Sequence, residues 1–375
     1  MIALITTLPA LVSQEPTYIV QREVFKPGII SISFSPDGNL LLAGFVDGSF
    51  QVLDPISFQS MLEVKDAHPK PVTALKMTPK MDYILTAGAN TIKRWDREGN
   101  IEGIYNGHAT TIWNFDISED GKSAVSTAFN KTFILWDVKT RTIAAHMRGH
   151  EDVCLTACIS GNNKLIASGS NDLTVKIWDL ESREVITTFP GPTNDIYNVA
   201  FSPDSRLVAA ASAERSIRIY DIEEEKLVHI LKGHRDVVRK VDFSPNGFFL
   251  ISASEDNSLM LWETSSGERI FHYTDNKGPI LDVKFHPDGK SFYSVSSLGE
   301  LTRWEMNPEI FVLHYYESPY RSELSADPVF EPRRDGESRK EYEARQKTAA
   351  QNKTEILERY YNQYLEEHTK SGAAQ

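Results

Sequence analysis

Hydrophobic and polar residues alternate along most of this chain in short runs. Leu173–Trp178 and Ser216–Tyr220 are examples, and such runs are separated by turns rich in Pro, Asp, Asn and Gly. Period-two alternation places successive side chains on opposite faces of a strand, and these turn residues favour hairpins. The pattern therefore predicts many short antiparallel strands.

Two motifs recur in phase along the chain, at intervals of 40 to 43 residues. The first is a turn of the Ser-Pro-Asp-Gly type, which begins at Ser35, Thr78, Ser118, Ser160, Ser202, Ser244 and His286. The second is a dipeptide of the Trp-Asp type, which begins at Leu53, Trp95, Trp136, Trp178, Tyr220, Trp262 and Trp304. Each unit holds four strand-like runs, which in the fourth unit are Cys154–Ser160, Lys164–Ser168, Thr174–Asp179 and Glu184–Phe189. Four strands in about 42 residues is the size of one propeller blade, so seven units predict seven blades.

The fourth unit resembles a complete WD repeat, from Gly149-His150 through Ser168 and Asp172 to Trp178-Asp179. The other six units resemble graded variants of it, and the resemblance covers roughly residues 18–316. It implies an all-β fold, a seven-bladed WD-repeat β-propeller, followed by a C-terminal α-helical tail. The fold hosts many unrelated functions, so the resemblance implies no particular reaction.

The resemblance also implies a structural chain of hydrogen bonds in each blade, from a Trp through a Ser or Thr and a His to an Asp. The matching residues are His150, Ser168, Asp172 and Trp178 in the fourth unit, His234, Ser252, Asp256 and Trp262 in the sixth, and His108, Ser126 and Trp136 in the third. Because this set recurs once per blade in register with a Trp, we interpret it as structural. A hydrolase triad would occur once, and a Gly-x-Ser-x-Gly elbow is absent from the sequence.

Several units depart from this pattern, and we expect their loops to be freer to specialise. The departures are Phe25, Ala43 and Leu53 in the first unit, Asn130 in the third, Pro192, Ala210 and Tyr220 in the fifth, and Asn276 and Leu298 in the seventh. Two runs compete for the strand that closes the ring. The family resemblance favours Tyr18–Val24, in which case Phe311–Tyr316 would lie over the rim or the underside.

Partners of WD-repeat propellers often dock near the central channel, on loops before the first strand and in the second hairpin. At these places the chain carries Trp113, Phe129, Leu155, Tyr197 and Arg239. Aromatic residues and Arg are typical anchors of protein interfaces, so we expect these residues to bind a protein partner. The alternative is that Trp113 and Tyr197 turn inward and pack between blades.

The two ends of the chain differ from the repeats. The apolar segment 1–17 includes residues 1–13, which resemble a secretion signal but lack its basic start; the alternative is a hydrophobic terminus lying on the fold. Residues 317–337 contain three prolines and predict a linker. Residues 338–369 predict an amphipathic helix opened by a capping box, which either folds back on the propeller or serves as a partner-binding or coiled-coil arm.

Composition and charge argue against several kinds of partner and site. The net charge is −12, which argues against a broad nucleic-acid surface, and no stretch has the length of a membrane span. Cys154 and Cys158 would lie roughly 13 Å apart on one strand, too far for a disulfide. They also lack companions at the spacing of a zinc site, so we expect no metal.

We therefore predict a cytoplasmic, non-enzymatic scaffold that binds protein partners and takes part in complex assembly, without a cofactor. One alternative is an exported bacterial propeller that acts as an extracytoplasmic assembly factor, periplasmic or secreted if residues 1–13 are a signal peptide. Another is a propeller enzyme with its site in the central channel. That alternative requires perturbed acids or His near the axis, and the sequence shows none beyond the structural set.

Overall fold

The computed structural model describes residues 18–372 of the 375-residue chain. The predicted N-terminal segment 1–17, with its signal-peptide alternative, lies outside the described residues. The chain divides into two compact units, of which one spans Ile19–Glu305 and the other includes the C-terminal residues from Met306.

Twenty-eight strands in the described part of the first unit form seven four-stranded antiparallel sheets, the blades of a seven-bladed β-propeller. The strands are β1 (Ile19–Val24), β2 (Ile29–Phe34), β3 (Leu41–Phe45), β4 (Phe50–Leu53), β5 (Ser60–Val64), β6 (Val72–Met77), β7 (Ile84–Gly88), β8 (Thr91–Trp95), β9 (Ile101–Asn106), β10 (Ile112–Ile117), β11 (Ser123–Ala128), β12 (Phe133–Asp137), β13 (Thr142–Met147), β14 (Cys154–Ile159), β15 (Leu165–Ser170), β16 (Thr174–Asp179), β17 (Val185–Pro190), β18 (Ile196–Phe201), β19 (Leu207–Ser212), β20 (Ser216–Asp221), β21 (Lys226–Lys232), β22 (Val238–Phe243), β23 (Phe249–Ser254), β24 (Leu259–Glu263), β25 (Arg269–Tyr273), β26 (Ile280–Phe285), β27 (Ser291–Ser296) and β28 (Glu300–Glu305). Blades 1 to 6 take four consecutive strands each, from β2–β5 to β22–β25, and blade 7 combines β26–β28 with β1.

The N-terminal strand closes the ring. β1 pairs antiparallel with β28, so that Ile19 lies opposite Trp304 and Val24 opposite Glu300. This confirms the preference for the N-terminal run as the closing strand. Blade 7 therefore contains both the first strand of the described chain and the last strand of the propeller.

The side chain of Arg22 connects the closing strand to its neighbours. Its guanidinium donates to Thr302 Oγ1 at 3.2 Å and to the carbonyl of Asp275 at 2.9 Å. It also lies 3.3 Å from the carboxylate of Glu300, whose side chain is only 5% exposed. A buried carboxylate without a nearby cation is costly, so Arg22 stabilises both the pairing and Glu300.

The hydrophobic core lies between neighbouring blades, because each sheet buries both of its faces. Between blades 3 and 4 it consists of Val125, Phe133, Leu135, Met147, Cys154, Ala157, Ile159, Ile166 and Trp178. Between blades 7 and 1 it consists of Tyr293, Val295, Leu301, Ile29, Ile32, Leu41, Ala43, Phe45, Leu53 and Phe58. Full burial of one large apolar side chain is worth about 1.5–3 kcal/mol, so each blade depends on both neighbours.

The predicted C-terminal helical tail is confirmed, and helix also occupies parts of the segments for which a linker and, as an alternative, a strand were predicted. Helix α1 (Pro308–Ala326) and a short 3₁₀ helix (Pro328–Phe330) precede helix α2 (Arg339–Gly372). The strand alternative for Phe311–Tyr316 is wrong, because a short apolar run does not distinguish strand from helix and Asn307 caps α1 by accepting from the N–H of Glu309.

The linker expected at 317–337 is wrong for the part that α1 and the 3₁₀ helix occupy. α1 breaks at Tyr316, which has non-helical torsions of φ −129° and ψ 22°. Pro319 therefore falls in the first turn after the break. A proline is tolerated there, because the missing N–H has no partner within the helix in any case.

Helix α2 begins at the predicted capping box. The N–H of Glu341 donates to Ser338 Oγ at 3.3 Å, and the N–H of Ser338 donates to the Glu341 carboxylate at 2.9 Å. The apolar stripe of α2 packs on α1, with Tyr364 5.4 Å from Phe311 and Tyr360 6.0 Å from Tyr320 between ring centroids. Among the helices that the structure describes, none combines the length and the apolar character that crossing a membrane requires.

We expect Arg22→Ala to lower the free energy of unfolding by about 2 kcal/mol, because it removes charge-assisted hydrogen bonds and leaves Glu300 buried without its cation. Urea unfolding followed by circular dichroism measures this. Lys65→Ala is the matched control, since its 3.7 Å ion pair with Glu63 is exposed and should contribute less than about 1 kcal/mol. Equal effects of the two substitutions would show that Arg22 does not stabilise the closure.

Candidate functional site

Blades 4 and 6 each contain a complete chain of hydrogen bonds from a buried indole to a carboxylate. In blade 4, Trp178 Nε1 donates to Ser168 Oγ at 2.8 Å, Ser168 lies 2.8 Å from His150 Nε2, and His150 Nδ1 lies 2.7 Å from Asp172. Blade 6 repeats it with Trp262, Ser252, His234 and Asp256 at distances of 2.9, 2.8 and 3.0 Å. Each His thus donates from Nδ1 to the Asp and accepts at Nε2 from the Ser hydroxyl.

The carboxylate of Asp172 joins two loops on one face of the propeller. We call this face, formed by the loop before each first strand and the hairpin between second and third strands, the upper face. Asp172 accepts from the N–H of Glu151 at 2.9 Å in the first loop and from the N–H of Thr174 at 2.9 Å after the second. Burial alone would raise the pKa of Asp172, but hydrogen bonds from Thr174, Glu151 and His150 hold it below its usual value. The network therefore fixes the upper-face loops.

Blades 2 and 3 contain the chain without its carboxylate. Trp95 Nε1 donates to Thr86 and Thr86 lies 2.8 Å from His68 Nε2. In blade 3, Trp136 Nε1 donates to Ser126 at 2.7 Å and Ser126 lies 2.6 Å from His108 Nε2. The Nδ1 atoms of both His residues are buried without a hydrogen-bond partner. Burial, with Lys93 nearby, lowers the pKa of His68 to about 4, and burial, with His146 nearby, lowers that of His108 to about 4.

Blades 1, 5 and 7 depart from the repeat pattern, and in them packing or other hydrogen-bond partners replace these bonds. Ala43 and Leu53 of blade 1 lie in the core shared with blade 7, with Phe25 packed against it. Tyr220 of blade 5 donates its phenol hydrogen to the carbonyl of Pro190 at 2.8 Å. Blade 7 keeps one link, from Trp304 Nε1 to Ser294 Oγ at 2.8 Å.

A β-bulge lies near the start of the first strand of every blade. The register shifts around Trp113 between Ile112 and Asn114, and around Leu155 between Cys154 and Thr156. The residues at this bulge are Ile30, Thr73, Trp113, Leu155, Tyr197, Arg239 and Leu281. A bulge redirects one side chain out of the ladder, and four of these residues belong to the predicted binding surface.

Trp113 and Phe129 form an exposed aromatic pair on the upper face. Their ring centroids lie 5.7 Å apart, and the residues are 41% and 55% exposed. The loop that carries Phe129 is held by its N–H, which donates to Thr110 Oγ1 at 3.1 Å. The inward-packing alternative therefore does not describe Trp113.

Leu155 does not belong to the exposed surface, so this part of the prediction is wrong. The residue is only 7% exposed, and its carbonyl accepts from the hydroxyl of Thr127 in blade 3 at 2.8 Å. Leu155 is thus a buried residue whose backbone connects blades 3 and 4.

Tyr197 and Arg239 are half-buried and contact each other. The guanidinium of Arg239 lies over the Tyr197 ring, 4.7 Å from its centroid, and pairs with the carboxylate of Glu255. Such a cation–π contact contributes about 0.5–1 kcal/mol at an exposed site. The structure thus arranges four of the predicted residues as two pairs, Trp113 with Phe129 and Tyr197 with Arg239.

The upper face carries two further exposed apolar residues that the sequence analysis did not select as binding residues. Val46 is 45% exposed and Leu298 is 59% exposed. Gly28 connects their loops, because its carbonyl accepts from Val46 N–H at 3.0 Å and its Cα side closely approaches Gly299. A signal was present: Leu298 stands where the repeat usually has Asp, and Asn276 replaces the His that such an Asp would bind.

The central channel contains charged residues that sequence reasoning missed. Lys76 pairs with Asp116 at 3.0 Å and Lys284 with Asp242 at 2.7 Å, and Lys240 and Asp282 also line a cavity of about 510 Å³. Burial alone would lower the pKa of Lys284, but the carboxylates of Asp242 and Asp282 raise it. The sequence did contain a signal, because charged residues occupy alternate positions of several first strands. They form a cluster only when closure of the ring brings these strands together.

The structure describes two unbridged cysteines, as expected, and burial raises the pKa of both thiols. Cys154 is buried and Cys158 lines the channel. Among residues 18–367, whose side chains the structure describes, no group of three or more His, Cys, Asp or Glu side chains is arranged to hold a metal ion.

Comparison with known proteins identifies the repeats. The family model "WD domain, G-beta repeat" matches more than half of the chain, at residues 21–54, 59–96, 99–137, 141–179, 183–221 and 225–263. The first match begins within β1, whereas β26–β28 of the seventh blade lie beyond the matches, and the structure shows that these strands complete that blade.

Curated relatives match a smaller part of the chain. The LEC14B protein of Lithospermum erythrorhizon is 31% identical over 30% of this chain and 25% of its own length. Pre-mRNA-processing factor 17 of Saccharomyces cerevisiae is 32% identical over 24% of this chain and 22% of its own length. Eukaryotic translation initiation factor 3 subunit I of Schizosaccharomyces pombe is 33% identical over 20% of this chain and 24% of its own length. The chain thus spans about a quarter of the length of these relatives.

We expect Ser168→Ala to destabilise the propeller by about 2 kcal/mol, because it leaves Trp178 Nε1 and His150 Nε2 buried without their shared partner. Urea unfolding measures the loss. Ser182→Ala, at an exposed turn of the same blade, is the control and should change stability by less than about 0.5 kcal/mol. A loss no larger than the control's would contradict a stabilising role for the chain of hydrogen bonds.

We also expect stability to fall as the pH drops from 6.5 towards 4, because His68 and His108 have folded-state pKa values of about 4 against an ordinary 6.5. The unfolded chain binds these protons first, so the contribution is fully present above pH 6.5 and is lost below it. Each His should add about 1 kcal/mol per pH unit to the slope of unfolding free energy against pH. Urea unfolding across this range should give a shallower slope for His68→Gln/His108→Gln; an unchanged slope would refute the assignment.

Proposed function

The chain belongs to the WD domain, G-beta repeat family, and we propose that it is a non-enzymatic scaffold that binds protein partners through the upper face of its propeller. The observation that carries this proposal is the exposed Trp113–Phe129 pair, on a face where hydrogen bonds hold the loops of blades 3 and 4. Large aromatic side chains on a rigid surface bind partners with little loss of conformational freedom.

The charges around the aromatic pairs support recognition of a protein. Arg239 and Glu255 pair with each other beside Tyr197, and Arg218 pairs with Glu214 at 3.4 Å on the neighbouring blade. An aromatic centre with polar groups at its border is the usual composition of a protein interface. With a net charge of −12, a nucleic acid is a less suitable partner.

The names of the relatives agree with a role in complexes. One relative is a pre-mRNA-processing factor and another is a subunit of a translation initiation factor, which its name places in an assembly. Because the chain spans only about a quarter of each, no process is carried over from them. The proposal is complex assembly in general.

The buried His, Ser and Asp residues support a structural role over catalysis. Ser168 is fully buried and receives the indole N–H of Trp178, while His150 is bonded on both nitrogens. A nucleophile must reach its substrate, and this hydroxyl has no access to solvent. The proposal includes a cytoplasmic location, which the two unbridged cysteines support.

Affinity capture from the native source with quantitative mass spectrometry tests this function. We expect Trp113→Ala/Phe129→Ala to reduce recovery of a specific partner by about tenfold or more, because the two rings are the exposed aromatic anchors of the surface. Circular dichroism checks that the fold survives.

Ile56→Ala/Met61→Ala is the matched control, since both residues are 64% exposed and lie away from the upper face, in the turn before β5 and on β5. It should leave the recovery unchanged. If both double variants lose the partner equally, or neither does, the upper face is not the docking surface.

A further inference from the structure

The first strands of the blades present alternate residues to the central channel, which gives two rings of seven positions. The upper ring consists of Ser31, Ala74, Asn114, Thr156, Asn198, Lys240 and Asp282. The lower ring consists of Ser33, Lys76, Asp116, Cys158, Ala200, Asp242 and Lys284. A first strand has no ladder partner on its channel side, so its outward N–H groups need other acceptors.

Side chains of both rings supply those acceptors to the next blade. In the upper ring, Asn198 Oδ1 accepts from the N–H of Val241 at 3.0 Å and Asp282 Oδ2 from that of Ile32 at 3.0 Å. In the lower ring, Asp242 Oδ2 accepts from the N–H of Phe285 at 2.8 Å. Asn114, Thr156 and Asp116 do the same for their neighbours. Polar residues in the channel therefore have a structural task.

Lys240 does not perform this task. It occupies an upper-ring position where Asn114, Thr156 and Asn198 accept an N–H from the next blade, and an ammonium has no acceptor. The N–H of Val283 in the next blade instead donates to Asp282 Oδ1 at 2.9 Å. The fold thus satisfies the backbone at this place without Lys240.

The ammonium of Lys240 is also unpaired in the part of the chain that the structure describes. No hydrogen bond or ion pair joins its Nζ to residues 18–372, whereas Lys76 and Lys284 each have a carboxylate within 3.0 Å. Asp282 lies in the same ring, but both of its oxygens accept backbone N–H groups. Burial lowers the pKa of Lys240 and the charges of Asp282 and Asp242 offset this only in part, with Lys284 and Lys76 acting in the same direction as burial.

The space beside Lys240 is large enough for a small ligand. Small residues at Ser33, Cys158 and Ala200 leave open the cavity of about 510 Å³ that Lys76, Lys240 and Lys284 line. The aspartates of the channel are held by backbone N–H groups, and two of them by lysines as well. Two of the three carboxylates, Asp116 and Asp242, therefore have a lysine beside them, which reduces their repulsion of an added anion.

We propose that the central channel is a binding site for a small phosphate-class oxyanion, held by the ammonium group of Lys240 with Lys76 and Lys284 near it. An ammonium acts as a point charge with three donors, which suits a tetrahedral oxyanion approached from the channel axis. A bound oxyanion would give Lys240 the direct ion-pair partner that Lys76 and Lys284 already have within the protein. The site is separate from the upper-face surface, so it does not depend on the scaffold proposal.

Isothermal titration calorimetry of the full chain with inorganic phosphate tests the site, at constant ionic strength adjusted with sodium chloride. We expect saturable binding to the wild type, and a dissociation constant about tenfold weaker or more for Lys240→Met, because the ligand loses its charged donor. Lys240→Arg, which keeps a cation at this position, should retain part of the affinity. Titration with pyrophosphate distinguishes a free phosphate site from one that accepts a longer phosphorylated ligand.

Lys290→Met is the matched control, since Lys290 is exposed in a turn outside the channel and should bind phosphate as the wild type does. Thermal melting with and without phosphate checks the same ranking by stabilisation of the folded state. We expect Lys240→Met to fold normally, because no partner is left behind. The absence of saturable binding to the wild type, or equal affinity in Lys240→Met, would overturn the proposal.

Discussion

Closure of the ring is the constraint on which the rest of the structure depends. Each blade is a four-stranded sheet whose two faces are buried only by its neighbours, so no blade can bury its apolar residues alone. The matched repeats reinforce this dependence, since the segment 59–96 begins with the outer strand of blade 1 and continues with three strands of blade 2. Without β1, blade 7 would lack its outer strand and Arg22 its contacts with Glu300 and Thr302. Pairing across 280 residues therefore completes a structure whose other contacts are mostly between adjacent repeats.

The hydrogen-bond chains determine which loops of the upper face are fixed and which are free to vary. In blade 4 the carboxylate of Asp172 joins two loops through His150, Glu151 and Thr174. In blades that lack the His or the Asp, the hydrogen bond between these two side chains, which joins the two loops, is absent. Phe129 lies in the hairpin of blade 3, where Asn130 replaces the Asp, and Leu298 lies in that of blade 7; both are exposed. At these two places the loss of the structural Asp therefore coincides with an exposed apolar side chain on the upper face.

The polar interior of the channel has a physical origin in the inner edge strands. Their N–H groups face the axis without a ladder partner, and side chains such as Asn198, Asp242 and Asp282 accept hydrogen bonds from N–H groups of the following blade. Two lysines then balance two of these carboxylates. Within the described residues, Lys240 neither accepts a backbone N–H nor pairs with a carboxylate. The fold therefore does not require its charge, which is why we propose that a ligand uses it.

The sequence by itself determined the number of blades, the order of the strands and the residues of the hydrogen-bond chains, because these follow from local spacing that recurs every 40 to 43 residues. The capping box at Ser338 and Glu341 is local in the same sense. Only the tertiary structure decided that Trp113 is exposed while Leu155 at the equivalent bulge is buried, since the neighbouring loops settle the burial of each side chain. It also decided that Phe311–Tyr316 is helical, because a six-residue apolar run fits either structure until its packing partners are fixed. The channel cluster of Lys76, Lys240 and Lys284 belongs to the tertiary structure as well: these residues are more than 40 positions apart, and only the closed ring brings them to one axis.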